Sequence, residues 1–545
     1  MEFLSRLVRI VKNHIAAVSI TLCTWILLNV SGITTRAFQI DAPAKSFPYR
    51  MLHLIFLFFL INHVTTLYHH RKNPDVKRSI LFSSAFLITA GGIFVCIYPG
   101  SWSWDDVFIY TSALHYDLNA WQHILTSIFH ILCLETLPIA GAVPIMQILI
   151  ATMICGYIPI ALGSVLPSKH RTLFEVLIFL PLLSPPLLTY LYSGFRMGII
   201  PYFEMLLYAM MICHIRKQNA RFSDFINLAL LTVLVSSWRT ENIYYIFLLI
   251  VFLIFHKRSA DLQKSAVIVV FVIMCVLAIG RINARLINND NYSIMATIVP
   301  MKEMIDRNAL SKEDEAVVSR ILKVGFMREY PQFSAEELYF MTNGIVREIY
   351  TKEDYNSYKK VYCKNVILHP LIVLKAAWGI FDQASGLCVI EGATMQRTVL
   401  SNTAGGADTL FDAADTHSIS FLSMDIPWKR PISNTLRVKM LNVLQFRDES
   451  GRETAGYFLF WNLWIPICLI LITVLVTIRR KDYFMTILSL AVIARFFVIF
   501  ATAVAPYIMY YLSAYLISDV LFLYVFAEAI ANRKTFKHVN TIPSD

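Results

Sequence analysis

Asp105 and Asp106 stand side by side in the stretch IYPGSWSWDDVFIY, just past the end of a long apolar run. Adjacent carboxylates can accept a proton from a hydroxyl or share a divalent ion such as Mg²⁺ or Mn²⁺. An Asp at a helix start also caps the helix by accepting backbone N–H bonds. A cap does not need a second acid, and it does not account for a pair set beside tryptophans at a membrane surface. Asp105 and Asp106 are therefore the candidate catalytic acids, and the candidate metal ligands if a metal takes part.

Arg239 and Glu241 lie in SSWRTENIYY, between two apolar runs. Ionisable groups in such a setting cost several kcal/mol unless paired or wet, so they are functional by default. An Arg fork matches phosphate oxygens. The alternative is an internal Arg239–Glu241 or Arg239–Asp105 ion pair that only fixes the helices. Arg196, in SGFRMG, is a second phosphate candidate, or else an Arg that snorkels at the interface. His115, His123 and His130 do not share one face and form no HExxH pattern, so they read as structural histidines rather than zinc ligands. Glu135, just before Leu137-Pro138, caps the turn into the next span or assists acceptor binding. Trp102, Trp104 and Trp121 suit the interfacial zone. The supporting residues of the site are thus Glu241, Trp104, His123 and Glu135.

The elements that must position these groups follow from composition. The chain is 57% hydrophobic and 16% charged, against about 25% charged in a soluble protein. It reads as an α-helical polytopic membrane protein. The net charge of +11 gathers in short loops rather than in a patch, which argues against nucleic acid as a partner. Apolar runs at 14–32, 50–69, 79–98, 143–166, 172–192, 197–215, 225–238, 243–256, 264–283, 456–478, 483–504 and 507–530 predict about twelve spans. The first begins with basic residues but has no small-residue cleavage site, so it reads as a retained helix. SPP at 184–186 should kink the fifth span.

Every second loop is basic: RKNPDVKR, SKHR, IRKQNAR, HKRSADLQK and RRK, with Arg533, Lys534 and Lys537 near the end. The positive-inside rule places these segments and both termini in the cytoplasm. The other side then receives the acidic loop, SGFRMG, WRTEN and a polar region between the ninth and tenth spans. In the acidic loop, apolar residues from Ile109 to Ile128 recur at three- and four-residue steps, predicting amphipathic helices along the outer surface. In the polar region, Ser311 and Thr351 are expected N-caps, and Pro370 opens a helix with an apolar face that could rest on the membrane. Most of the nine cysteines lie in apolar runs; Cys363 and Cys388 fall in the polar region, where a disulfide between them stays open.

An apolar span, then YPGSWSWDD, then surface helices, many further spans and an external domain resembles the GT-C superfamily of membrane glycosyltransferases. The YPG followed by an acid, with a later WRTEN-like element, more specifically resembles bacterial members without a settled substrate. The resemblance implies a catalytic acid in the first large external loop and a polyprenyl-phosphate sugar donor. Asp105 occupies the acid position of that motif. Such transfer needs a base for the acceptor hydroxyl, cations for the departing phosphate and exclusion of water. In-line attack would invert the anomeric carbon. The acceptor would be a cell-surface glycan, a glycolipid or a protein, on the extracytoplasmic face of a bacterial plasma membrane. In many GT-C proteins the acidic loop follows the first span; here it follows the third.

The expected organisation is therefore residues 1–78 as additional N-terminal helices and 79–283 as a GT-C-like module with its acidic loop at 99–142. An extracytoplasmic domain would cover 284–455, and C-terminal helices with a cytoplasmic tail would cover 456–545. A lipid-linked-glycan transporter or flippase is an alternative, although it should show repeated halves and ionisable groups near the midplane. An O-antigen-ligase or polymerase-like enzyme is another.

Overall fold

Inside a bilayer every backbone N–H and C=O must be paired within the segment, which favours helices of about 20 apolar residues. The computed structural model describes residues 2–31, 38, 43–102, 104–119, 123–166, 171–218, 222–256, 262–286, 290–329, 344–386, 426–448 and 452–539. Seven helices there are long and apolar enough to cross a membrane: Lys45–His69, Pro74–Ile97, Ala142–Gly163, Ser265–Leu286, Ala455–Arg479, Tyr483–Thr502 and Ile508–Ile530. The number reaches nine if each of two bent pairs is one span. The chain is an α-helical membrane protein by these lengths and compositions. Three other expected spans are shorter apolar helices, His14–Val30, Ser223–Trp238 and Glu241–Phe255. The helix Ile200–Lys217 ends in Arg216 and Lys217, charges that shorten its apolar stretch.

In chain order the first half runs α1 (Glu2–Val30), α2 (Pro43–His69), α3 (Pro74–Ile97), α4 (Trp104–Leu114), α5 (Ile124–Thr136) and α6 (Ala142–Gly163). It continues with α7 (Arg171–Phe179), α8 (Pro185–Leu191), α9 (Ile200–Lys217), α10 (Phe222–Trp238), α11 (Tyr245–Phe255) and α12 (Leu262–Leu286). The predicted kink is present: the segments on either side of Ser184 meet at 54°. Pro185 and Pro186 supply no N–H to the preceding turn. The carbonyl of Leu182 accepts instead from Tyr202 Oη at 3.0 Å.

Contacts fix which helix ends lie together. α3 packs on α6 in the opposite direction, with Ser83 Oγ donating to Thr152 O at 3.1 Å. At the start of α3, buried Glu175 accepts from Arg171 Nε (2.8 Å) and Arg78 Nη1 (3.0 Å). Asp75 bridges the same two arginines. Gly163, at the end of α6, packs against Glu175. At the other end of α6, Gln147 Nε2 donates to Ser193 O (2.8 Å), shortly before α9 starts. The end of α9 therefore lies with the start of α3. There Arg216 pairs with Asp482 and Glu528 and donates to Tyr524 Oη at 3.3 Å. Among the described basic residues, Arg78, Arg171 and Arg216 thus lie at one end of the bundle.

The polar region docks on the opposite end. Ala140 N donates to Pro427 O (3.2 Å), Tyr98 Oη to Trp428 O (2.7 Å) and Leu463 N to Ser385 O (2.9 Å). It has its own core, with Ile294, Met301, Ile305, Leu322 and Tyr358 fully or almost fully buried. Ser311 caps its helix by accepting from Asp314 N (3.1 Å), and Thr351 forms a capping box with Asp354. Pro370 opens the helix Pro370–Ala384. Cys388 lies outside the described residues, and so does the pairing with Cys363. Among the described residues, extended pairing is confined to two isolated bridges.

The acidic-loop helices depart from expectation. α5 does not lie on the surface: its Thr126, Ser127, His130 and Glu135 are all buried. Its polar side chains His130 and Glu135 are paired inside the protein, with the Gly194 carbonyl and with Tyr116. The start of α2 covers α5, with His53 Nε2 3.1 Å from Thr136 Oγ1.

Candidate functional site

The YPG turn sets the start of α4. Gly100 has φ +125°, and a Cβ there would lie 2.5 Å from the Tyr192 carbonyl oxygen. Only glycine meets both conditions without strain. Ser101 N donates to the same carbonyl at 2.8 Å. The Gly100 carbonyl receives a two-pronged grip from Arg437, Nε at 3.2 Å and Nη2 at 3.0 Å. Arg437 is buried and comes from the helix Asn434–Leu444 of the polar region.

α4 then carries Asp106 into the interior, where it is fully buried. Its neighbour across the interface is Gly194 of SGFRMG. A Cβ on Gly194 would stand 3.0 Å from the Trp102 ring, 3.2 Å from Asp106 Cβ and 3.2 Å from His130 Cε1. His130 Nε2 donates to the Gly194 carbonyl at 2.9 Å. Burial pushes the His130 imidazole down to about 4, against the opposing pull of that bond, so it is neutral at pH 7. The side chains of Asp105 and Trp104 lie outside the described residues, as does Trp121; residue 105 itself is in α4.

The remainder of SGFRMG reaches two further expected residues. Arg196 is half-buried beside His123. His123 caps α5, its Nδ1 accepting from Leu125 N at 3.3 Å. Burial, and secondly the Arg196 charge, push His123 down to about 4. Met197 Sδ lies 2.6 Å from Arg239 Nη1. Arg239 is 7% exposed, pairs with Glu241 and stands over the Tyr510 ring at 5.8 Å. The Arg239–Glu241 pair is therefore formed, while the alternative with Asp105 falls on an undescribed side chain.

Glu135 belongs to a different junction. It accepts from Tyr116 Oη and lies 4.0 Å from Arg50 Nε of α2. Burial raises its carboxyl, against the Tyr116 hydrogen bond and the Arg50 charge. It ties α2 to α5 rather than capping the turn into α6.

A deeper network escaped the sequence reading. Asn242, the last residue of WRTEN, donates to Glu204 Oε1 at 2.8 Å, and Tyr245 Oη donates to Oε2 at 2.7 Å. Arg495 Nη1 pairs with Glu204 Oε2 and reaches Tyr245 Oη (3.0 Å) and Tyr244 Oη (3.3 Å). Arg495 Nε and Nη2 are buried with no hydrogen-bond partner among the described residues. The available signal was an Arg inside AVIARFFVIF and a Glu inside YFEMLL, both costly in an apolar run unless paired.

Residues 98–102 and Asp106, residues 193–198, and residues 239–242 are thus joined at the end of the bundle opposite Arg78, Arg171 and Arg216. The site combines a buried carboxylate, a neutral imidazole and two arginines. Among the described residues no three His, Cys, Asp or Glu side chains gather as a metal-binding group. In comparisons with known proteins, no family model, no curated protein and no solved structure matches the chain.

Proposed function

We propose that the protein is a GT-C-like membrane glycosyltransferase with about twelve spans, moving a sugar from a polyprenyl-phosphate donor to an extracytoplasmic acceptor. One observation carries the reading. The acidic segment, SGFRMG and WRTEN meet at one end of the bundle, and the described basic residues Arg78, Arg171 and Arg216 lie at the other. Under the positive-inside rule the basic end and both termini are cytoplasmic, and the site faces outward across a bacterial plasma membrane.

In this reading Asp105 takes the acceptor hydroxyl proton and the sugar is transferred with inversion. Asp106, locked against Gly194, positions the start of α4. Arg239 and Arg196 meet the charge that develops on the leaving lipid phosphate. The polar region selects the acceptor, a glycan, a glycolipid or a protein.

The test is incubation of the purified protein with a panel of polyprenyl-phosphate sugars and cell-envelope acceptors, scored for free lipid phosphate. Release from one donor with sugar found on an acceptor supports the reading; no release from any donor counts against it.

A second reading has its own support. Asp519 lies midway along the span Ile508–Ile530, which packs on the bent α7–α8 pair. An intramembrane carboxyl beside a broken helix suits a transporter of lipid-linked glycan. Movement of a labelled lipid-linked sugar across vesicles without sugar transfer would favour it.

A further inference from the structure

The polar region contains an elbow. The helices Lys352–Leu368 and Pro370–Ala384 meet at 96°. Large apolar side chains at the bend are exposed: Ile367 78%, Leu368 59%, Leu371 79%, Leu374 52% and Trp378 50%. Leu371, Leu374 and Trp378 follow the helical step, so they form one stripe. The opposite face, with Ala376, Ile380 and Phe381, is buried. A contiguous stripe of this kind on a soluble surface marks an interaction site.

Two observations say what covers it. The first is its level in the molecule. Phe381 packs against Trp464, Phe500 and Tyr511, and Trp378 lies 6.2 Å from Trp464. Trp464 begins the helix Trp464–Arg479, Phe500 is near the end of Tyr483–Thr502, and Tyr511 is near the start of Ile508–Ile530. The helix that carries the stripe therefore packs against three candidate spans, and on one of them Phe497 and Val498 are also exposed. The second is charge. From Tyr355 to Phe381 the sequence has no Asp or Glu, but it has Lys359, Lys360, Lys364 and Lys375. Lys360, Lys364 and Lys375 are exposed, although Lys364 also pairs with Asp314.

We propose that residues 367–378 insert their apolar side chains into the leaflet at the site-bearing end of the bundle, with the elbow lysines among anionic phospholipid headgroups. The elbow then acts as an interfacial anchor that holds the polar region against the membrane beside the site. This anchoring does not depend on the chemistry of the site.

The experiment places the full-length protein in nanodiscs of phosphatidylcholine, with or without phosphatidylglycerol, carrying a trace of phospholipid with a diazirine near the top of its acyl chain. After photolysis, adducts are mapped by peptide mass spectrometry. Adducts are expected on the peptide around 365–378, at two-fold or greater yield with phosphatidylglycerol. The triple variant Leu371→Ser, Leu374→Ser and Trp378→Ser should lose at least five-fold of the elbow adducts while the spans label as before. Its unchanged span labelling shows that it has folded. Labelled spans with an unlabelled wild-type elbow would overturn the proposal. So would elbow cross-links to a second copy of the chain in place of lipid.

Discussion

Gly100 is held from three directions: its own backbone angle, the Tyr192 carbonyl and the Arg437 guanidinium. Gly100→Ala meets a left-handed backbone penalty of about 1–3 kcal/mol, and its Cβ must also displace a backbone oxygen. A lower melting temperature in detergent is expected; an unchanged one would show that the turn is not held this way. At this scale the sequence was informative about type and poor about partners. Asp105, Asp106, Arg239 and Glu241 stood out because charge is rare in an apolar chain. His130 was read as a structural histidine, but its partner, a carbonyl 64 positions away, was not readable. Arg495 did not stand out, because an Arg near the middle of one run says nothing of the Glu204 that meets it.

Between elements, the Glu204–Arg495 pair joins α9 to the helix Tyr483–Thr502, and Asn242 with Tyr245 ties in the junction of α10 and α11. Removing one partner of a buried pair leaves an uncompensated charge, at a cost of about 3–5 kcal/mol. Glu204→Gln and Arg495→Met should each lower stability in detergent by that order, and the double variant by clearly less than their sum. Additive losses would mean that the two residues do not depend on each other. Three helix starts in the polar region were readable, because Ser311, Thr351 and Pro370 act locally. α5 was misplaced because local periodicity does not reveal that α2 covers its outer side.

At the scale of the molecule, two charge networks close the basic end, around Glu175 and around Arg216, while the polar region grips the other end through Arg437. The proposed sidedness rests on that division. A membrane-impermeant maleimide should label Cys363, which is exposed on the polar region, in intact cells. A cysteine introduced by Lys72→Cys should be labelled only in inverted vesicles. Labelling of both from one side would break the proposed orientation. The alternation of basic loops was legible along the chain. The docking of the helix Asn434–Leu444 on the YPG turn was not, since a contact spanning 337 positions leaves no local pattern.

The central claim is that the carboxyl of residue 105 serves as the base for sugar transfer. The direct measurement compares wild type with Asp105→Asn on a polyprenyl-phosphate sugar that the wild type turns over, at matched melting temperature. Loss of a positioned base is expected to slow transfer by about 10²–10⁴-fold with donor binding retained. Transfer by the Asn variant at the wild-type rate would contradict the claim.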